Sequence, residues 1–288
     1  MGDWNISWHH ETLGIPDLWT RGVTGEGATV ALLDTGLSSP PGLDRPDFEY
    51  LDSGGKPTGA GDPHGHGTCC ASLIASYAGG VLGIAPFARV VSLRVLETGT
   101  TIADVEAALQ FVLARGGIDV VSCSFILDEV TPAIAETIRA LTNAGSLVVA
   151  AAGDDDSVKG EFPERTPNAL TVAAVDGAAA PLPGARLGAW IDVAAPGFEL
   201  PVVTARGVAG LFSESSAAAA VVSGVAALLL SAIPSGRPRR KAAQALEGVF
   251  KTTAAPISAA DPGAVGRGLI RPAAALEAIR ALSSQEDT

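Results

Sequence analysis

The sequence has few cysteines, few aromatic residues and little charge for its length. Of its 288 residues, three are cysteine, 5% are aromatic and 17% are charged. Three cysteines cannot all pair, and Cys69 and Cys70 are adjacent, which disfavours a disulfide between them. We therefore expect no disulfide framework, and we interpret Cys69, Cys70 and the third cysteine, Cys123, as buried thiols.

Basic residues and long apolar runs are also scarce. There are 19 Lys and Arg against 31 Asp and Glu, which gives a net charge of −12. Such a surface repels nucleic acid and anionic membranes, so we expect neither as a partner. The longest apolar run, residues 217–230, is interrupted by Ser223 and Gly224 and is too short to span a bilayer.

The first residues, MGDWNISWHHE, lack the basic and apolar segments of a signal peptide. A cytoplasmic location and a secreted form that has lost its leader and prosegment both remain open. We expect His9 and His10, within this segment, to lie on the surface.

The sequence is rich in apolar residues, which make up 47% of it and occur in short runs that we expect to be buried. Runs typical of strands alternate with segments of helical period, and Thr101 and Thr131-Pro132 are typical of helix starts. This alternation predicts an α/β fold with three layers, in which a mostly parallel central sheet carries helices on both faces. We expect a single domain over residues 1–288. The predicted strands cover residues 28–33, 90–95, 119–124, 147–152 and 170–175.

Residues 38–63 are rich in glycine and proline and are predicted to be a long excursion between elements. The segment contains four carboxylates, which fit either a solvated acidic loop or a calcium site, and their spacing does not match an EF-hand loop. The acidic-loop interpretation is favoured. The carboxylates are Asp44, Asp47, Glu49 and Asp52.

Three segments carry residues suited to catalysis. Asp34 ends the first predicted strand, and His66 lies between two glycines at the mouth of an apolar helix. The stretch FSESSAAAAVVSGVAALLLS, residues 212–231, reads as a buried helix whose front edge holds Ser213, Ser215 and Ser216. Each residue alone has a structural explanation, as a turn residue or a helix cap. Together they supply the nucleophile, base and orienting carboxylate of a serine hydrolase.

The motifs in this order resemble the subtilisin-like serine proteases, the subtilases. The resemblance extends over nearly all of the chain, and its DTG and HGT segments are highly specific. It is carried by VTGEGATVALLDTG at 23–36, GHGTCCA at 65–71, GIAPFARVVSLRVL at 83–96, DVVSCSF at 119–125, VAAPG at 193–197 and GRG at 266–268.

The resemblance implies Ser216 as nucleophile, His66 as general base and then acid, and Asp34 as its orienting carboxylate. Ser213 and Ser215 become framework residues. The resemblance also implies a peptide or protein substrate and allows a structural calcium ion, with no other cofactor. It places the oxyanion donor at residue 154, and it implies substrate binding by Ser124, Phe125, Ile126, Ala152 and Gly153.

Three positions depart from the family pattern. Asp154 stands where the family has an asparagine, and an ionised carboxylate accepts hydrogen bonds but cannot donate one. Burial would raise its pKa and favour the protonated form, which can donate. Glu214 replaces a glycine two residues before Ser216, which adds negative charge and backbone strain. Ile126 also replaces a glycine, so its side chain would narrow the substrate cleft and alter specificity.

Two functions therefore remain open. The first is an active endopeptidase of narrow specificity, suited to the maturation of one peptide precursor. The second is an impaired pseudoprotease that binds a peptide or protein.

Glu161 and Glu164 would favour a basic substrate residue if they lay near the specificity pocket, but we expect them at the surface. An α/β-hydrolase esterase is disfavoured, because no G-x-S-x-G motif surrounds a serine.

Overall fold

The computed structural model describes residues 5–78, 80–97, 101–155, 160–257 and 264–284. The helices are α1 Trp8–Thr12, α2 Ile15–Thr20, α3 His66–Ala75, α4 Ile102–Arg115, α5 Pro132–Ala144, α6 Ser215–Ser231, α7 Arg237–Thr253 and α8 Pro272–Ser284. The strands are β1 Thr29–Asp34, β2 Glu49–Asp52, β3 Arg89–Arg94, β4 Val120–Cys123, β5 Leu147–Ala151, β6 Ala169–Val175, β7 Val193–Pro196, β8 Leu200–Val203 and β9 Ala209–Phe212.

The seven strands β1–β7 form one sheet in the order β2-β3-β1-β4-β5-β6-β7, and every neighbouring pair is parallel. The other two strands, β8 and β9, form an antiparallel hairpin. β3 and β2 lie on one side of β1, and β4 to β7 follow in order on the other, so the connections change direction beside β1. Ligands bind at such points, beyond the carboxyl ends of the strands.

Helices cover both faces of the sheet. One face, which includes Val30 and Leu32, packs with α3, α6, α7 and α8 into the larger core. The alternate residues Ala31 and Leu33 pack on the opposite face with α4 and α5. Central parallel strands are buried on both faces, which explains their continuous apolar runs. The predicted three-layer α/β fold is confirmed.

Two predicted helix starts are also confirmed. At α4, the amide and hydroxyl of Thr101 both donate to Asp104, at 2.8 and 2.7 Å, in a reciprocal cap. At α5, the Thr131 hydroxyl accepts from the amide of Ile134 at 3.1 Å, and Gly145 ends the helix with φ 95°. These local interactions lie within a few residues of sequence, which is why the sequence reveals them.

The structure corrects two boundaries. Residues 38–63 are not only an excursion, because they contain β2, whose exposed edge position and short length weaken the apolar signal. Phe212 belongs to β9, and the helix that the sequence predicts from residue 212 begins at Ser215. Among the described residues, no helix combines the length and apolar character needed to cross a membrane.

Candidate active site

The candidate residues lie at one edge of the parallel sheet. Asp34 is the last residue of β1, and Ser124 directly follows β4. His66 is the first residue of α3, and Ser216 is the second residue of α6. Because α3 packs against both β1 and α6, the two helix starts are brought to the same strand ends.

The contact between α3 and β1 joins the histidine to the aspartate. Nδ1 of His66 lies 2.7 Å from Oδ1 of Asp34, whose side chain is fully buried. Gly67 makes this approach feasible, because a side chain there would collide with the carbonyl oxygen of Gly36. Burial alone lowers the pKa of His66. The hydrogen bond and charge of Asp34 outweigh that effect, with help from Asp62 and Glu214, so the pKa of His66 is raised above its ordinary value.

Asp62 is a buried carboxylate that organises the loop before His66. Its Oδ1 accepts from the Thr35 hydroxyl at 2.7 Å and from the Gly65 amide at 2.8 Å. Its Oδ2 accepts from the amide and hydroxyl of Thr68, at 2.8 and 2.7 Å. The sequence analysis missed this residue. Its position four residues before His66, among glycines that leave backbone donors accessible, is the signal that would have identified it.

Ser216 lies at the start of α6 and is 8% exposed. Its hydroxyl donates to the carbonyl oxygen of Ser124 at 3.3 Å, and no hydrogen bond joins it to His66 within the described chain. A rotation about its Cα–Cβ bond redirects the hydroxyl. Nucleophile–base hydrogen bonds are often long or absent before substrate binds.

Asp154 caps helix α6. One carboxyl oxygen accepts from the amide of Ser215 at 2.6 Å, and the other accepts from the Ser215 hydroxyl at 2.8 Å. The same hydroxyl accepts from the amide of Gly153 at 2.9 Å, so Ser215 is indeed a framework residue. Burial raises the pKa of Asp154, and the hydrogen bonds from Ser215 and the charge of His66 oppose that rise without cancelling it.

Glu214 has a backbone conformation that suits glycine. Its φ of 87° and ψ of 179° lie in a region that residues with a side chain rarely adopt, at a cost of about 1–3 kcal/mol. The strain expected from the sequence is therefore present. Its amide donates to the carbonyl oxygen of Gly197 at 2.7 Å, which holds the turn into α6. Burial and the negative charge of Asp154 raise the pKa of Glu214.

The expected substrate-binding residues lie in two segments after β4 and β5. Phe125 and Ala152 are buried, so their side chains face the core. Ile126 is half-buried, and its side chain occupies the space next to Gly153. The structure thus brings all five residues, including Ser124, to the same strand ends.

Clefts open on both sides of His66. One, of about 740 Å³, is lined by residues that include Leu96 and Ser124. The other, of about 610 Å³, lies towards the β8–β9 hairpin and is lined by residues that include Phe212. His64 is exposed and lines both clefts. An extended chain therefore has room to continue in both directions past the histidine.

The cysteines are core residues or partly buried. Cys70 and Cys123 are buried, as predicted, and burial raises the pKa of both thiols. Cys69 is only partly buried, and burial raises the pKa of its thiol to about 11. The Sγ of Cys70 lies 3.9 Å from Nδ1 of His66. All three thiols are therefore protonated near neutral pH and are poor nucleophiles.

Among the described residues, the carboxylates of the 38–63 segment do not form a cluster of three or more potential ligand side chains. The four carboxylates of the 38–63 segment are bound to protein donors instead, as in the ion pairs of Asp47 with Arg45 and of Glu49 with Arg89 and Arg115. The group of potential ligands that converges within 4.8 Å lies at the candidate active site and consists of Asp34, His66 and Cys70. Its nitrogen and sulfur atoms do not suit calcium, which binds oxygen.

The prediction that His9 and His10 lie on the surface is wrong. Both side chains are buried, at 0% and 1% exposure. Their rings lie 4.0 Å apart, and the ring of His10 also packs on Trp19 at 5.1 Å. Both Nδ1 atoms lie within hydrogen-bonding distance of the Ser7 hydroxyl. The short helix α1 packs against α2, and this tertiary contact is invisible in the local sequence.

Known proteins resemble this chain over most of its length. M-protease of Shouchella clausii (strain KSM-K16) is 30% identical over 236 residues, which cover 80% of this chain and 61% of that protein. Subtilisin BL of Lederbergia lenta is 30% identical over 236 residues, covering 80% and 86%. The chain thus spans less than two thirds of the length of M-protease.

Solved structures share the fold. MycP1 with its N-terminal propeptide removed has a TM-score of 0.75 at 26% identity, over 93% of this chain and 96% of that chain. The prenylagaramide maturation protease PagA has a TM-score of 0.75 at 22% identity, over 92% and 98%, a likeness that concerns the fold alone. The model of the subtilase family matches residues 25–271. The chain therefore belongs to the subtilase family, whose members are subtilisin-like serine peptidases.

Proposed function

We propose that this protein is a serine endopeptidase that forms an acyl-enzyme through Ser216. The observation that carries the proposal is the 2.7 Å contact between His66 and Asp34 at the sheet edge where Ser216 lies in the first turn of α6. Asp34 is oriented by the amide of Thr35, which donates to Oδ1 at 2.7 Å. A buried carboxylate fixed in this way holds the imidazole with Nε2 free to accept a proton.

The reaction begins when the Ser216 hydroxyl turns from Ser124 to His66. His66 takes the hydroxyl proton as Oγ bonds to the substrate carbonyl carbon. The resulting tetrahedral intermediate collapses when His66 passes that proton to the leaving amine and the C–N bond breaks. Water then attacks the acyl-enzyme by the same route in reverse, which releases the acid and restores the serine.

Charge on the intermediate's oxygen is stabilised at the start of α6. The positive end of the helix dipole favours a negative oxygen there. Asp154 supplies a further donor only when its carboxyl is protonated, because an ionised carboxylate repels the oxyanion. The raised pKa of Asp154 increases the protonated fraction at mildly acidic pH. We therefore propose an oxyanion hole whose strength depends on the protonation of Asp154.

Cleavage within a chain, as opposed to removal of terminal residues, is favoured by the two clefts. A peptide lying across His66 has about 740 Å³ of space on one side and about 610 Å³ on the other. The substrate is thus a peptide or protein that passes through the site, and maturation of a dedicated peptide precursor suits a restricted cleft.

We further propose one peptidase domain over residues 1–288, with no nucleic-acid or membrane partner because the net charge is −12.

Labelling by a fluorophosphonate probe between pH 4 and 8 tests the proposal. We expect the protein to be labelled, because the probe reacts only with an activated serine, and we expect Ser216→Ala to lose the label. Ser231→Ala is the matched control, since Ser231 lies at the opposite end of α6 and should leave labelling unchanged. Absence of Ser216-dependent labelling at every pH would contradict the proposal.

A peptide-binding pseudoprotease is the second candidate. It is favoured by Asp154, whose two oxygens already accept the hydrogen bonds of Ser215 at the start of α6. Binding of peptides by wild type and Ser216→Ala with equal affinity, without turnover, would support this candidate. A kcat near the enzyme median of about 10 s⁻¹ would eliminate it.

A further inference from the structure

A gap separates the two segments that follow β4 and β5 beside Ser216. The two strands pair as far as Cys123 and Ala150. Beyond that point the chain leaves β5, and Leu127 forms a bridge with Phe162 instead, accepting from the Phe162 amide at 3.2 Å. We call the space between residues 124–126 and 152–154 the side-chain gap.

The longer branch of the Ile126 side chain lies in the side-chain gap against Gly153, and the shorter branch lies against Gly160. A methyl group added to Gly153 would collide with Cδ1 of Ile126, and one added to Gly160 would collide with its Cγ2. Gly153, in the segment 152–154, and Gly160, outside both segments, therefore contact different branches of the isoleucine. The room that the glycines create is used by Ile126 and is not left for a ligand.

Arg186 closes the gap from behind Gly153. Its Cδ lies 2.8 Å from where a methyl group on Gly153 would be, and its guanidinium donates to the carbonyl oxygen of Ala152 at 3.2 Å. The guanidinium also pairs with Glu164 at 2.7 Å and lies 4.9 Å from the ring of Trp190. The Glu164 carboxylate is therefore neutralised by Arg186 and leaves no free negative charge to attract a basic substrate residue.

The residue whose carbonyl is attacked must direct its side chain towards this gap. Ser216 contacts Ser124 on one wall, and its neighbour Ser215 contacts Gly153 on the other. We propose that Ile126 fills the pocket for this residue, so that the protein cleaves after glycine or alanine and rejects larger side chains. This inference rests on the proposed endopeptidase activity and names the substrate class of the same site.

Peptidyl diphenyl phosphonates that differ only in the residue next to phosphorus test the inference. In each, the Ser216 oxygen bonds to phosphorus and phenol leaves with the serine proton, so the labelling rate reports pocket fit without requiring turnover. We expect the wild type to react with the alanine probe at least about 10²-fold faster than with the phenylalanine probe, since even one methylene changes selectivity by about 10–200-fold. Ile126→Gly should reverse this preference.

Ile126→Ala provides a milder truncation if the glycine variant fails to fold, and it should lower the alanine-to-phenylalanine ratio at least tenfold. Ile102→Ala is the matched control, because Ile102 begins α4 on the other face of the sheet and its truncation should leave the ratio unchanged. A wild type that reacts equally with both probes would overturn the inference while the proposed activity stands. Absence of any Ser216-dependent labelling would instead contradict the proposed activity.

Discussion

Two side chains of the proposed site need opposite protonation states: His66 must lack the proton that it is to accept, and Asp154 must carry the proton that it donates. His66 accepts a proton only when it is neutral, at pH values above its pKa, which is raised because Asp34 stabilises the charged ring. Asp154 donates only when it is protonated, at pH values below its pKa, which burial raises. The reactive form combines a neutral His66 with a protonated Asp154. Activity should therefore be highest between the two pKa values and fall on both sides.

Replacement of Asp154 by asparagine removes one of these requirements. The amide donates at every pH, so kcat/KM of Asp154→Asn should rise through the pKa of His66 and stay high in alkali. At pH 9 we expect a gain of about 10²–10³ over wild type, the magnitude known for one oxyanion donor in a subtilisin. Steady-state kinetics from pH 4 to 10 measure both profiles.

Asp154→Ala serves as the control, because it removes the negative charge without adding a donor. It should gain less than the asparagine variant at pH 9. Equal rates for wild type and Asp154→Asn across the whole pH range would show that the carboxyl takes no part in stabilising the oxyanion.

Single residues differ in how clearly the sequence identifies them as part of the site. Asp34, His66 and Ser216 stand in motifs that are specific in sequence, and the structure places them at one edge. Asp62 and Arg186 lie in no such motif, because their importance comes from partners that are up to 34 residues away, such as Ala152 for Arg186. Their roles depend on which backbone atoms the fold brings within hydrogen-bonding distance.

Among the elements, α6 determines how closely the layers approach. It is buried along nearly its whole length and packs against five strands, β1 and β4 to β7, and against α3. Gly224 lies where α6 approaches the loop before β3. A methyl group there would lie 2.8 Å from Cβ of Ile84 and 3.4 Å from Cα of Ile74.

Gly224→Ala should therefore destabilise the protein by about 1–3 kcal/mol, because overpacking outweighs the helix propensity gained. Gly248→Ala in α7 is the matched control. No atom lies within 4 Å of its added methyl group, so this variant should gain up to about 1 kcal/mol. Urea unfolding of both variants gives the two free energies. A stabilised Gly224→Ala would show that α6 can shift away from Ile84.

The sequence predicts those strands and helices whose local pattern of apolar residues is strong. The five predicted strands agree with the structure to within one residue at each end, because central parallel strands are apolar on both faces. The edge strand β2 was missed, since its burial is partial and its residues, EYLD, are mostly polar. The end of β9 was mistaken for helix because Phe212 is continuous with the apolar run of α6 in sequence.

At the scale of the whole molecule, the buried histidine pair links stability to pH. Burial lowers the pKa of His9 to about 2, with the charge of His10 adding to the effect. Burial also lowers the pKa of His10 to about 4, although the carbonyl of Leu82 opposes this. Both values lie below that of an unfolded histidine, about 6.5. The unfolded chain therefore binds more protons, and stability is complete above pH 6.5 and declines below it.

As the pH falls from 6 to the pKa of its folded form, each histidine should reduce the free energy of unfolding by about 1.4 kcal/mol per pH unit. His10→Phe keeps an aromatic ring against Trp19 but cannot titrate, so its stability should decline less steeply in acid. Urea unfolding at pH 7.5, 5.5 and 4.5 compares the two slopes. Parallel slopes would show that His10 takes up protons equally in the folded and unfolded states and does not govern acid stability.

The sequence by itself determined the fold class, five strands of the central sheet, the starts of α4 and α5, and the segments that carry Asp34, His66 and Ser216. These follow from local periodicity, helix caps and short motifs, which act over a few residues. The tertiary structure alone decided where side chains lie relative to distant partners. It buried His9 and His10, packed the His10 ring on Trp19, tied Asp154 to Ser215, and placed Ile126 against Gly153 and Gly160. Burial and contact between residues far apart in sequence depend on packing of the whole chain, and no local pattern encodes them.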